Sequence, residues 1–137
     1  MVELSTIIKA KAQLKVVQAL TYILPVSHPL VFAGPNSALN LCDNIHQLGM
    51  KKVLIVTDEV LLKLGVIQPL QSKLEQAGIQ VNIFSEVKPD PTFEVVEKGI
   101  QLFKSSQSDS VLAVGGGSTI DTAKVLALAA ANLKSPK

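Results

Sequence analysis

The 137-residue sequence contains a single cysteine, Cys42, and only two histidines, His28 and His46. A lone thiol closes no internal disulfide, and no Cys/His spacing matches a zinc site. That cysteine usage points to the cytoplasm. Neither histidine has a carboxylate partner at ligand spacing, so both are expected to be surface or half-buried side chains, not ligands or bases. Charge of one sign is also scarce. Thirteen basic residues against 11 acidic ones leave a formal net charge of +2, without the basic stripe that neutralises nucleic-acid phosphates. Nucleic acid is therefore not an expected partner. No apolar run reaches the ~20 residues needed to cross a bilayer, and neither an internal repeat nor a low-complexity segment occurs.

What is present is apolar content, 47% of the chain, enough for one domain that buries roughly two thirds of its unfolded surface. Near the start, Lys9, Lys11 and Lys15 precede "VVQALTYILPV", a loose imitation of a signal peptide. The long leader carries Glu3, Gln18 and Tyr22 interrupt the run, and "SHPLVFAG" offers no small-residue cleavage site. Val16, Val17, Leu20, Ile23 and Leu24 instead share one helical face. The spacing predicts an amphipathic helix within residues 1–24, packed on its own domain or on a partner.

From Pro25 onward, short apolar runs alternate with segments of 3.6-residue periodicity. "LVFAG" at 30–34 reads as a short strand, followed by a helix with Leu41, Cys42, Ile45 and Leu48 inward. "KVLIVTD" at 52–58 is a continuous apolar run, as expected of a parallel strand covered on both faces. Helical material at 59–77 turns Ile67, Leu70, Leu74 and Ala77 inward and stops at Gly78. "IQVNIF" at 79–84 is the next strand. Pro91 marks a helix start, with Asp90 as its expected cap and Phe93, Val96, Ile100 and Phe103 as its buried face. "SVLAV" at 110–114 and "STIDTAKVLALAAANL" complete the alternation. The pattern predicts an α/β fold with an open, twisted, parallel sheet.

The last strand runs into Gly115, Gly116 and Gly117 and then directly into a helix. Bare amides at a helix N-terminus, where the aligned peptide dipoles add about half a positive charge, attract phosphate. Ser118 is the expected N-cap, with Asp121 as the acidic partner of a capping box. A tight strand-to-helix turn is the competing explanation, although one glycine suffices for a turn. Neither the G-x-G-x-x-G fingerprint, whose third glycine falls at Ile120, nor a P-loop is satisfied. The acidic residue at a strand end is Asp58, on an earlier strand than the glycines. A dinucleotide site would therefore draw on two strand ends, with Asp58 at the ribose and Gly115 to Ser118 at the pyrophosphate. A charged Asp58 there would repel a 2′-phosphate and favour NAD over NADP. Taken alone, Asp58 reads first as the cap of a helix that begins near Glu59, and Asp121 and Lys124 as ordinary capping and solvated residues.

Three stretches carry a resemblance: "GGGSTIDTAK" at 115–124, "VLIVTDEVLLKLG" at 53–65 and "VKPDPTFEVVEKGI" at 87–100. Together, in this order and spacing, they resemble the iron-containing (group III) alcohol dehydrogenases over about residues 25–137. The resemblance implies a nucleotide-binding domain over 25–137 with a Rossmann-like parallel sheet and flanking helices. It also implies ribose contact by Asp58, pyrophosphate contact by Gly116, Gly117 and Ser118, and an adenine-side position for Asp90, where relatives commonly have Asn. At 34–37, "GPNS" has Asn36 in place of a second glycine, a residue that tolerates left-handed backbone. The family's helical second domain carries one Asp and three His as ligands to iron; residues 125–137 contain neither Asp nor His, so no iron site is expected within this sequence. The expected function is accordingly the NAD-binding portion of an iron-dependent alcohol dehydrogenase, truncated and inactive by itself. The alternative is a non-catalytic interaction module that forms a homo-oligomer or joins another chain or a missing C-terminal domain.

Overall fold

The computed structural model describes residues 30–134. The amphipathic helix expected within residues 1–24 lies outside them. The described elements belong to one compact unit, which begins at Phe32.

After α1 (Ser37–Gln47) come β1 (Lys52–Val56), α2 (Glu59–Lys63), α3 (Gln68–Gln76) and β2 (Gln80–Phe84). They are followed by α4 (Phe93–Ser105), β3 (Ser110–Ala113) and α5 (Gly117–Lys134). The three strands form one parallel sheet in the order β2-β1-β3. This is the expected Rossmann-like arrangement. Val53 to Val56 of the middle strand have no exposed surface, which is why that run is apolar throughout instead of alternating. Full burial of each such side chain contributes about 1.5–3 kcal/mol.

The pleat sends Val53 and Ile55 to one face, where Cys42 of α1 and Ile67, Leu70 and Leu74 complete a cluster. Leu54 and Val56 face Phe84, Phe103 of α4, and Ala123 and Leu126 of α5. Gly99 permits the close approach of α4 and α5, since a Cβ there would stand 2.9 Å from Leu126 Cδ2 and 3.3 Å from Phe84 Cε1. At the amino end of the sheet, the Asp109 carboxylate accepts from the Lys51 and Lys52 amides at 2.8 and 3.2 Å. That end is thereby closed with satisfied polar groups.

Several local expectations are corrected. Residues 30–33 form no strand; the run pairs with none of β1, β2 and β3, and Leu30 and Val31 stay exposed. Apolar content alone does not supply the neighbouring edge that a strand requires. In α1 the covered face is Leu39, Cys42 and Ile45, spaced three apart, whereas Leu41 and Leu48 are exposed. Leu41 lies about 100° around the helix from Cys42. The stretch 59–77 is two helices, because Gly65 adopts φ 75 between them. Ile67, Leu70 and Leu74 are buried as expected, but Ala77 is exposed. Asn36 adopts φ 61, a left-handed conformation that asparagine tolerates.

The start of α4 is shifted as well. Thr92, not Asp90, caps it: the Val95 amide donates to Thr92 Oγ1 at 3.5 Å. Asp90 stands two residues before that cap, at φ 53. Phe93, expected inward, is 96% exposed. With the helix beginning at Phe93, the buried stripe is centred on Gly99 and Phe103, and Phe93 falls about 80° away from Phe103.

Candidate functional site

The carboxyl ends of the three strands open into one cleft of about 1340 Å³. Because β2 and β3 lie on opposite sides of β1, their connecting segments diverge there. Such a switch point is where open α/β sheets receive ligands. Asp58 and Glu59 come from the end of β1, Ser85 to Asp90 from the end of β2, and Gly115 to Thr119 from the end of β3. Asp58, Asp90, Gly116, Gly117 and Ser118, singled out in the sequence, thus line one cleft.

Asp58 caps α2: the Leu61 amide donates to its Oδ1 at 2.9 Å. Its second oxygen has no partner among the described residues, so capping leaves an acceptor available. An isolated antiparallel bridge joins Asp58 to Glu86. Residues opposed in such a pair project their side chains to the same face.

The three glycines divide by what they face. A Cβ on Gly115 would collide with Thr119, 2.8 Å from its Cβ, so the fold itself requires glycine there. Gly116 and Gly117 have nothing within 4 Å of an added Cβ, and neither has a positive φ. No packing or backbone constraint within the described residues accounts for them. Helix α5 begins at Gly117, and across its start the Ile120 amide donates to Gly116 O at 3.0 Å. The amides of Gly117, Ser118 and Thr119 meet no acceptor among the described residues, as is usual for a first helical turn.

Ser118 is therefore not the N-cap. The helix starts two residues earlier than a Ser118 cap would place it, and Ser118 sits inside the first turn with its Oγ unbonded among the described residues. Asp121 closes no capping box either; it pairs with Lys124 at 3.2 Å on the exposed surface. The packing of Thr119 against Gly115 accompanies this earlier start.

Sequence reasoning did not single out the charged rim of the cleft. Lys98 Nζ lies 3.3 Å from Glu86 Oε2 and 3.6 Å from Glu94 Oε1. Its pKa is raised, first by the hydrogen bond to Glu86 and then by the charges of both carboxylates. Glu59 is held below the ordinary carboxylate range by its hydrogen bond and ion pair with Lys63. Only the i,i+4 spacing of Glu94 and Lys98 and of Glu59 and Lys63 was a visible signal. Among the described residues, no group of three or more His, Cys, Asp or Glu side chains could hold a metal ion. No described helix is long and apolar enough to cross a membrane.

Known proteins share this architecture. The chain is 36% identical over 104 residues to the NAD-dependent methanol dehydrogenase of Bacillus methanolicus, covering 76% of this chain and 27% of that protein. It superposes on the crystal structure of a 1,3-propanediol oxidoreductase with a TM-score of 0.69 and 39% identity, over 72% of this chain and 26% of the other. For the NADH-dependent butanol dehydrogenase A of Thermotoga maritima the TM-score is 0.66 at 30% identity, over 75% and 28% of the respective chains. The chain thus spans about a quarter of the length of these relatives. The family model for iron-containing alcohol dehydrogenases matches residues 29–137, the region that carries both the parallel sheet and the cleft. The chain belongs to the iron-containing alcohol dehydrogenase family.

Proposed function

We propose that residues 25–137 form the dinucleotide-binding part of an NAD-dependent alcohol dehydrogenase. In this reading the free oxygen of Asp58 accepts from the adenosine ribose hydroxyls. The amides following Gly116, together with Ser118, receive the pyrophosphate, and Asp90 lies toward the adenine. The observation that carries the reading is the pair Gly116 and Gly117: side-chain-free positions that the fold does not need, opening a helix at the floor of a large cleft. A ligand that approaches the backbone closely gives them a reason.

When bound, the dinucleotide supplies the hydride acceptor for alcohol oxidation. The chain's own contribution is to bind and orient it. An ionised Asp58 disfavours a 2′-phosphate, since like charges ~4 Å apart at an effective dielectric of ~20 interact by about 4 kcal/mol. NAD is therefore favoured over NADP. The described residues do not fit the iron that the family name carries. As a separate 137-residue polypeptide, the chain is accordingly proposed to bind NAD without oxidising alcohols, in a cytoplasmic setting. Calorimetric titration with NAD tests this: heat saturating at millimolar ligand or below supports it, and no heat from a chain shown to be folded by circular dichroism rejects it.

A second reading, association with another copy or another chain, is supported by α5. Val125 and Leu128, one turn apart, are 48% and 65% exposed. Size-exclusion chromatography tests it, because a clean monomer across concentrations argues against the association.

A further inference from the structure

The reading of Asp58 as the ribose acceptor leaves the neighbouring acid unexplained. Glu86 follows β2, is bridged to Asp58 through the backbone and lines the same cleft. The antiparallel pairing sends both carboxylates to one side, so the region beside the ribose carries two acids and not one. Across from Glu86, Lys98 reaches in from α4 and is held by Glu86 at 3.3 Å and by Glu94 at 3.6 Å. Among the described residues it is one of two lysines on the cleft wall, the other being Lys88.

We infer that Glu86 is a second specificity-determining residue, which works with Asp58 against a 2′-phosphorylated dinucleotide by occupying the Lys98 ammonium and adding its own negative charge beside the ribose. This inference rests on the proposed ribose role of Asp58. Its two effects have the same sign. A phosphate arriving at the 2′ position meets a carboxylate in place of a cation, and the cation that could receive it is already engaged. The raised pKa of Lys98 agrees with that engagement. Glu86 itself is exposed, so its side chain can be changed without emptying the core.

The experiment is calorimetric titration of the whole 137-residue chain with NAD and, separately, with NADP, at low and moderate salt. The variants are Glu86→Gln, Asp58→Asn and Glu86→Gln combined with Lys98→Gln or with Lys88→Gln, each checked for folding by circular dichroism. The expected result is that Glu86→Gln raises NADP affinity relative to NAD by about five-fold, the order of an exposed charge interaction. The gain shrinks as salt rises. Lys98→Gln cancels it and Lys88→Gln does not. An unchanged ratio in Glu86→Gln, while Asp58→Asn still shifts it, overturns the inference and leaves the Asp58 reading standing. Reversal by Lys88→Gln instead of Lys98→Gln also overturns it. If Asp58→Asn leaves the ratio unchanged, or no dinucleotide binds, the underlying reading fails and the inference fails with it.

Discussion

Gly115 and Thr119 share a space too small for one more carbon: a β-carbon on Gly115 would stand 2.8 Å from that of Thr119. Two residues further along, the same addition meets only open volume. Gly115→Ala is thus expected to destabilise the fold by about 1–3 kcal/mol through overpacking. Gly117→Ala, in the first turn of α5, leaves stability unchanged or raises it by up to about 1 kcal/mol. The same substitution is expected to weaken NAD binding at least several-fold. Chemical denaturation and NAD calorimetry on the two variants separate the roles; equal effects of both on stability would remove the distinction.

Asp58 has two separable tasks. Asn caps helices about as well as Asp, so Asp58→Asn retains the bond from the Leu61 amide while losing the charge. Its melting temperature should stay close to that of the parent, while the preference for NAD over NADP falls. Asp58→Ala loses both and is expected to cost about 0.5–2 kcal/mol in addition. Thermal denaturation alongside the two titrations distinguishes these outcomes.

The Cys42 thiol is buried beside Leu70, donating weakly to its carbonyl at 3.9 Å. Burial is the main cause that pushes its pKa up, with Lys73 opposing and Asp43 adding to the rise. A group whose folded pKa is raised stabilises fully below its unfolded value and loses that contribution as pH climbs through the folded one. Stability should therefore decline as pH rises beyond the ordinary thiol range near 8.5, and the decline should disappear in Cys42→Ala. Denaturation midpoints at pH 7, 9 and 10 check this. Thiol-reagent labelling should track unfolding.

Asp90 holds a left-handed conformation at φ 53, directly before Pro91. Left-handed backbone costs most residues roughly 1–2 kcal/mol, with Asn and Asp less affected. Asp90→Asn should therefore be neutral for stability, Asp90→Gly neutral to mildly stabilising, and Asp90→Val destabilising by about 1 kcal/mol or more. Melting temperatures of the three variants rank the strain directly.

How much of this was legible in the sequence depends on how local the cause is. Val53 to Val56 announced a central parallel strand, because full burial on both faces demands an unbroken apolar run. The βα alternation then brought Asp58 and the glycines to the same edge of the sheet. Causes set by distant residues were not visible. The entry into α5 is tied to Thr119 meeting Gly115, the capping role passes to Thr92 because α4 starts past Pro91, and the exposure of Phe93 follows from that start. Glu86 and Lys98 lie on different elements, and only the packing of α4 against the end of β2 brings them together. The run at 30–34 shows the converse: its apolar composition is that of a strand, but no described strand pairs with it.

The middle position of β1 also sets an order of opening. Its backbone is bonded to β2 along one side and to β3 along the other, whereas each outer strand has one edge without a partner among the described residues. Amides of β1 should consequently exchange with deuterium only when the whole sheet comes apart, and those on the outer edges should exchange through small local excursions. Slowest exchange at Leu54 and Ile55 would mark this strand as the last part of the domain to let go.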